Sequence, residues 1–220
     1  NDTGKVIGKT TNGPVFYGYA KGVFNIFGGE LSSLSNNRTW GGVGAFSNDV
    51  GADSAKAPSA GFMYGGRIVG CPVGSYGGAV AIMNKASFTM YGGQILGGTA
   101  ADYGAAISVN NATLKLLGGS VTAGAQTDRL VDTKADTGTI LVGGTAQVAG
   151  IHLRSGILLQ ISSEYPLEEN AMIYVQMELP GIFATVQNEQ QSAFFESLKQ
   201  GYTVAVAPNA EQFDLLLQTA

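Results

Sequence analysis

The chain has 220 residues, enough for one large domain or a domain plus a smaller module. Glycine supplies 33 of them while apolar residues still make up 45 %, which excludes a disordered glycine-rich chain and points to an all-β or solenoid fold with many tight turns. Charged residues are only 13 %, the formal net charge is -4 and no Lys/Arg cluster exists, so nucleic acid, anionic membrane and polyanionic sugar chains are poor partners.

The sequence starts at Asn1 and reads as a mature fragment whose targeting segments were removed. No apolar run approaches the length of a membrane span, so no membrane insertion is expected in this segment. A repeat begins at Phe24-Asn25-Ile26-Phe27-Gly28-Gly29 and returns at Phe62-Met63-Tyr64-Gly65-Gly66. It returns again at Phe88-Thr89-Met90-Tyr91-Gly92-Gly93, Leu114-Lys115-Leu116-Leu117-Gly118-Gly119 and Ile140-Leu141-Val142-Gly143-Gly144. The pairs are 37, 27, 26 and 25 residues apart. Two residues after each pair stands an apolar residue: Leu31, Ile68, Ile95, Val121 and Ala146. A second block follows in three copies, from Trp40 to Phe46, Tyr76 to Ile82 and Tyr103 to Val109.

Each repeat holds about three short apolar segments separated by Gly or Asn. Three strands of four to five residues with tight turns need roughly 25 residues. The predicted fold is therefore all-β: a right-handed, single-stranded parallel β-helix of about five coils over 1–150, each strand pairing with its equivalent one coil away. Alternation predicts that Phe24, Ile26, Val80, Ile82, Phe88, Met90, Ile107, Val109, Leu114 and Leu116 point inward. Ala79, Ala81, Ala106 and Ser108 are then expected to face out. The Gly pairs mark corners that need positive φ, and Asn48, Asn84 and Asn111 form a column suited to a left-handed turn. The longer first interval predicts a loop protruding over Ser47–Ala60.

After Gly150 the Gly pairs vanish. Strand-like runs cover 156–162, 171–177, 182–186, 202–207 and 212–218, and Gln190–Lys199 is the one predicted helix, with Phe194, Phe195 and Leu198 on a face. Residues 151–220 are read as a final coil plus a β-rich C-terminal cap, with a separate domain as the alternative.

The chemistry-bearing residues are few. Cys71 is the single cysteine and His152 the single histidine, which argues against an intramolecular disulfide, a Cys-based zinc cage, a His-rich metal site and a Cys/His dyad. Cys71 is read as a small buried hydrophobe and His152 as a surface or satisfied core residue. No phosphate-binding loop precedes a helix. No cofactor and no metal site is expected. The acids Asp102, Asp128, Asp132 and Asp136 are expected in inter-strand turns, with Arg67 and Arg129 as possible bases. Only their convergence in one groove would support a polysaccharide lyase or glycoside hydrolase. The more suggestive feature is aromatic. Phe27, Tyr64 and Tyr91 form one outward column, and Trp40, Tyr76 and Tyr103 a second. Such columns either stack on one another to stabilise the coils or offer a platform to sugar rings or a protein partner.

Phe88-Thr-Met-Tyr-Gly-Gly-Gln-Ile-Leu-Gly-Gly-Thr-Ala, followed by Tyr103-Gly-Ala-Ala-Ile, resembles the Gly-Gly repeats of large surface-anchored β-helix proteins of gut Firmicutes, among them adhesins. The segments Ile151–Ile161, Leu167–Val175, Phe194–Leu198 and Tyr202–Val206 resemble the segment that closes such repeat regions. The resemblance covers most of 13–220, and departs at Gly61-Phe62, where the aromatic is shifted by one, and at the degenerate fifth repeat. It implies an extracellular, wall-displayed protein and supplies no catalytic residues. The expectation is a non-catalytic module, an adhesin or ligand-presenting region whose partners are host or microbial glycans or proteins. A polysaccharide-active enzyme and a purely structural stalk are the alternatives.

Overall fold

A computed structural model describes residues 4–8, 13–34, 40–48, 58–134, 137–154, 156–209 and 212–220. Asp136 and most of the loop expected over Ser47–Ala60 lie outside these residues.

The chain enters as β1 (Lys5–Gly8) and β2 (Phe16–Tyr19). The first full coil is β3 (Val23–Ile26), β4 (Glu30–Ser33) and β5 (Gly44–Ser47). The second is β6 (Ala60–Met63), β7 (Arg67–Val69), the short β8 (Pro72–Val73) and β9 (Val80–Met83). The third is β10 (Ser87–Met90), β11 (Gln94–Leu96), the short β12 (Thr99–Ala100) and β13 (Ile107–Asn110). The fourth is β14 (Thr113–Leu116), β15 (Ser120–Thr122) and β16 (Val131–Thr133). The fifth has β17 (Thr139–Val142) and one long β18 (Gln147–Leu153), and the sixth β19 (Gln160–Ile161) and β20 (Met172–Met177).

Equivalent strands pair in parallel, coil upon coil, and build the expected parallel β-helix of about six turns. One wall runs β3–β6–β10–β14–β17–β19, a second β1–β4–β7–β11–β15–β18, and a third β2–β5–β9–β13–β16–β18. In the early coils a loop carrying Gly41-Gly42, Gly77-Gly78 or Gly104 separates the second and third walls. The fifth repeat lacks that block, so both walls run into β18, with a register shift between Val148 and Ile151.

The inward residues are those that alternation singles out. Phe88, Met90, Val80, Ile82, Ile107, Val109 and Leu114 are wholly buried, and Met63, Met90, Leu116 and Val142 stack in register through the core. Each such aliphatic contributes roughly 1.5–3 kcal/mol. The Gly pairs have two separate causes. The second residue needs a left-handed backbone, as at Gly66 (φ 80°) and Gly93 (φ 87°). The first lies against the coil before it: a Cβ on Gly92 would sit 2.7 Å from the Tyr64 carbonyl oxygen. The Asn column is left-handed at Asn84 (φ 53°) and Asn111 (φ 49°), and the Asn84 amide donates to Ser47 Oγ at 3.0 Å.

Four details differ from expectation. Ala79 and Ala106 belong to the main core, and Ala81 and Ser108, although outward on their strands, are fully buried beneath a second layer. The fifth Gly pair is out of phase: Val142 pairs with Leu116, so Gly143 stands where the fourth coil has Leu117. The shifted aromatic Phe62 points outward beside Asn25 and Thr89, because Gly61 occupies the inward position opposite Phe24 and Phe88. The segment read as a helix is a short 3-10 helix, Glu189–Phe194, capped by Asn188, followed by strand β22 (Phe195–Ser197). β22 takes the open edge of β20 (Ile173↔Phe195), which a helix would leave unpaired.

β21 (Gly181–Val186), β23 (Tyr202–Asn209) and β24 (Gln212–Thr219) form an antiparallel three-stranded sheet. Its Phe183, Val186, Leu215 and Leu217 are buried in the same core as the coils. The end at β20 is therefore covered by a β-rich cap.

Candidate ligand-binding surface

Phe27, Tyr64 and Tyr91 follow the last inward residue of β3, β6 and β10, so alternation sends them out. Their rings stand 5.1 and 5.2 Å apart with planes within 8°. Rings lying edge to edge in one plane could not come this close, so each ring face is covered by the next. The ladder shows solvent its edges and hydroxyls, and free faces exist only at its ends. Exposure falls along it, from 70 % at Phe27 to 47 % at Tyr64 and 37 % at Tyr91. Phe62 lies beside Tyr64 at 6.5 Å.

The two ends differ. Phe27 lines a hollow of about 320 Å³ with Gly4, Val6 and Gly28–Leu31. At the other end Tyr165 meets Tyr91 edge-on, with centroids 6.0 Å apart and planes at 67°. The out-of-phase Gly143 makes this corner possible. A Cβ there would lie 2.1 Å from the Tyr165 carbonyl oxygen, and Gly144 N–H donates to that oxygen at 3.0 Å. The Tyr165 N–H donates to Ser162 Oγ at 2.9 Å. The corner encloses about 290 Å³, with Leu117, Leu141 and Ile161 as apolar wall and Lys115, Gln160, Ser162 and Glu164 as polar rim. Burial, then Tyr165, Tyr64 and Glu164, hold the Tyr91 phenol above its ordinary pKa, so it is a neutral hydrogen-bonding group at physiological pH.

The second column has another role. Trp40, Tyr76 and Tyr103 are bridged through their backbones, and Trp40 and Tyr76 pack on Ala45, Ala81 and Met83. Their rings are tilted, not stacked: Tyr76 and Tyr103 lie at 49°, and Tyr17 meets Trp40 at 37°. Lys134 Nζ stands 5.3 Å over Tyr76 and the Arg154 guanidinium 4.6 Å over Tyr103. Trp40 and Tyr76 thus roof small residues of the third wall, and the Tyr76 and Tyr103 rings each face a cation. Burial raises the Tyr76 pKa, with Tyr103 and Asp102 adding to it.

The described candidate acids occupy two different settings. Asp102 and Asp128 are exposed in loops, and Arg129 Nη1 reaches the backbone oxygen of Asp102, not its carboxylate, at 3.3 Å. Arg67 lies on the second wall and pairs with Glu30 at 3.9 Å, which Lys5 also holds at 2.7 Å. Asp132 corrects the expectation of a turn acid: it sits in β16, wholly buried, one coil on from Ser108 in the outward small-residue column. His152 follows in register, its Nδ1 3.2 Å from Asp132 Oδ1. Arg154 closes the cluster, with Nη2 3.4 Å from Asp132 Oδ2 and Nε donating to the Thr133 carbonyl at 2.5 Å. The row places carboxylate between hydroxyl and imidazole. A serine nucleophile needs the imidazole in the middle. Arg154, whose guanidinium also lies over the Tyr103 ring, brings a cation to this buried carboxylate.

Cys71 is buried with Val73 and Ala100, and burial raises its thiol pKa. Among the described residues, no group of three or more His, Cys, Asp and Glu side chains could hold a metal ion, and no helix is long and apolar enough to cross a membrane. Tyr165 and Arg154 escaped the reading of the repeat. Tyr165 lies beyond the last Gly pair, and its place follows only from the phase slip at Gly143. Comparison with known protein families, with curated proteins and with solved structures finds no match.

Proposed function

We propose that the chain is a non-catalytic module displayed outside a bacterial cell, and that the corner between Tyr91 and Tyr165 binds carbohydrate. The observation that carries this reading is the corner itself. It offers aromatic rings at 67° beside an amide, hydroxyls and both signs of charge. A sugar ring presents an apolar C–H face and a rim of hydroxyls, and needs both surfaces at once. Asp132, one of the candidate acids, is buried against His152 and Arg154, which takes it away from any exposed acid pair. The resemblance to surface-anchored repeat proteins supports the extracellular setting.

The test is a glycan and mucin array probed with the chain and with Tyr91→Ala and Tyr165→Ala. Binding by the parent that drops about tenfold in either variant, a loss of roughly 1.4 kcal/mol, is the expected result. Phe27→Ala, at the far end of the ladder, leaves binding unchanged. An array that stays dark for the parent removes the reading and leaves the β-helix as a stalk.

A further inference from the structure

The strands of the first wall, β3–β6–β10–β14–β17–β19, carry a single ionisable side chain, Lys115 on β14. Leu114 and Leu116 on either side of it are buried in the core, so Lys115 points out. Its neighbours in register are Thr89 one coil before and Leu141 one coil after, and both are uncharged. Among the described residues Lys115 forms no ion pair, whereas Lys5, Arg67 and Arg154 each meet a carboxylate.

This ammonium borders the hollow of about 290 Å³ beside Tyr165. Leu141 and Gln160 follow it along the wall in register (Lys115↔Leu141, Leu141↔Gln160). Lys115 and Gln160 thus stand two coils apart, roughly 9–10 Å at the backbone, with the apolar Leu141 between them. A sugar ring lying on Leu141 meets an ammonium at one rim and an amide at the other. Glu164 comes from the turn that carries Tyr165, and its charge acts on the Tyr91 phenol. There it accepts from hydroxyls and repels a second anion. A hollow of this size lies at the lower limit of small-molecule pockets, which suits one sugar residue.

Covering an ammonium with a ligand costs free energy unless the ligand replaces the water it displaces. A carboxylate does so with a charge-assisted bond, about twice as strong as one to a neutral hydroxyl. We propose that the sugar residue taken by this corner carries a single carboxylate, paired with Lys115. The proposal rests on the sugar reading of the corner and names the class of sugar. The net charge of -4 and the carboxylate of Glu164 in the rim disfavour a polyanionic chain and agree with one acid group per site.

The test uses the whole chain and four soluble probes: the methyl glycosides of a uronic acid and of a nonulosonic acid, and the carboxamide of each. The carboxamide keeps the shape of the acid and removes its charge. In NMR titrations at least one acid is expected to bind about tenfold more tightly than its own carboxamide, and added salt narrows that ratio. The acid that does so identifies the sugar type. Lys115→Met brings the ratio to about one, Lys115→Arg keeps it, and Tyr165→Ala weakens acid and carboxamide alike. Equal binding of acid and carboxamide by the parent chain, a ratio indifferent to salt, or a ratio that survives Lys115→Met would each overturn the proposal while the sugar reading stands. Should no probe bind, the glycan array decides: hits on neutral glycans alone overturn this proposal, and an array without hits removes the sugar reading with it.

Discussion

At position 61 a glycine stands where the neighbouring coils carry Phe24 and Phe88. The sequence shows the anomaly as an aromatic shifted by one, and the structure supplies its cause. Phe46 reaches across from β5 and, with Phe88 at 5.5 Å, fills the space that a side chain at 61 would occupy. Gly61→Ala is expected to destabilise the chain by about 1–3 kcal/mol through overpacking, read as a lower urea midpoint at unchanged slope. Adding Phe46→Leu, which withdraws the ring tip, restores part of the loss, and a double-mutant cycle measures that coupling. Two independent penalties of the same size would remove this explanation. Asp132 shows the limit of reading residues singly. Val131-Asp132-Thr133 looks like part of a polar turn until register sets Asp132 beside Ser108 and His152, and the balancing cation, Arg154, comes from the next coil. No spacing rule within one repeat carries that pairing.

At the scale of elements, period and phase were plain in the sequence because each coil contributes the same inward pairs, so Phe88, Met90, Leu114 and Leu116 could be assigned before any coordinates. What the strands wear on their outer faces was less legible. Small outward residues such as Ala45 and Ala81 suggest solvent, yet they are buried because Trp40 and Tyr76 lie over that column. The two aromatic columns, alike as sequence, thus differ in energetics. Tyr76 shields buried methyl groups and takes the charge of Lys134 on its face, whereas Tyr64 covers only other rings. Tyr76→Ala is therefore expected to cost about 2–3 kcal/mol, and Tyr64→Ala about 1 kcal/mol, within the range of a stacked aromatic pair. Thermal melts of the two variants side by side check the order, and a larger loss at Tyr64 would contradict it. The Gln190–Lys199 segment failed for a related reason. A short amphipathic run suits a helix locally, but β20 leaves an edge that Phe195–Ser197 fills.

Over the whole molecule the two ends behave as different objects. A stack of coils gains stability from each interface between neighbours, and its last interface has no partner unless a different structure supplies one. At the β20 end, β21, β23 and β24 supply it by turning antiparallel, and Phe183, Val186, Leu215 and Leu217 enter the common core at roughly 1.5–3 kcal/mol each. At the other end β1 adds one strand whose residues are almost all exposed. Removal of residues 181–220 is thus expected to uncover Leu159, Ile173 and Val175, raise the fluorescence of an apolar dye and produce sedimenting aggregates. Removal of residues 1–8 deletes the Lys5–Glu30 pair and a solvated strand, and the melting transition stays cooperative with a shift of a few degrees. Equal damage from both truncations would mean that the N-terminal coils depend on β1 as the C-terminal coils depend on their sheet.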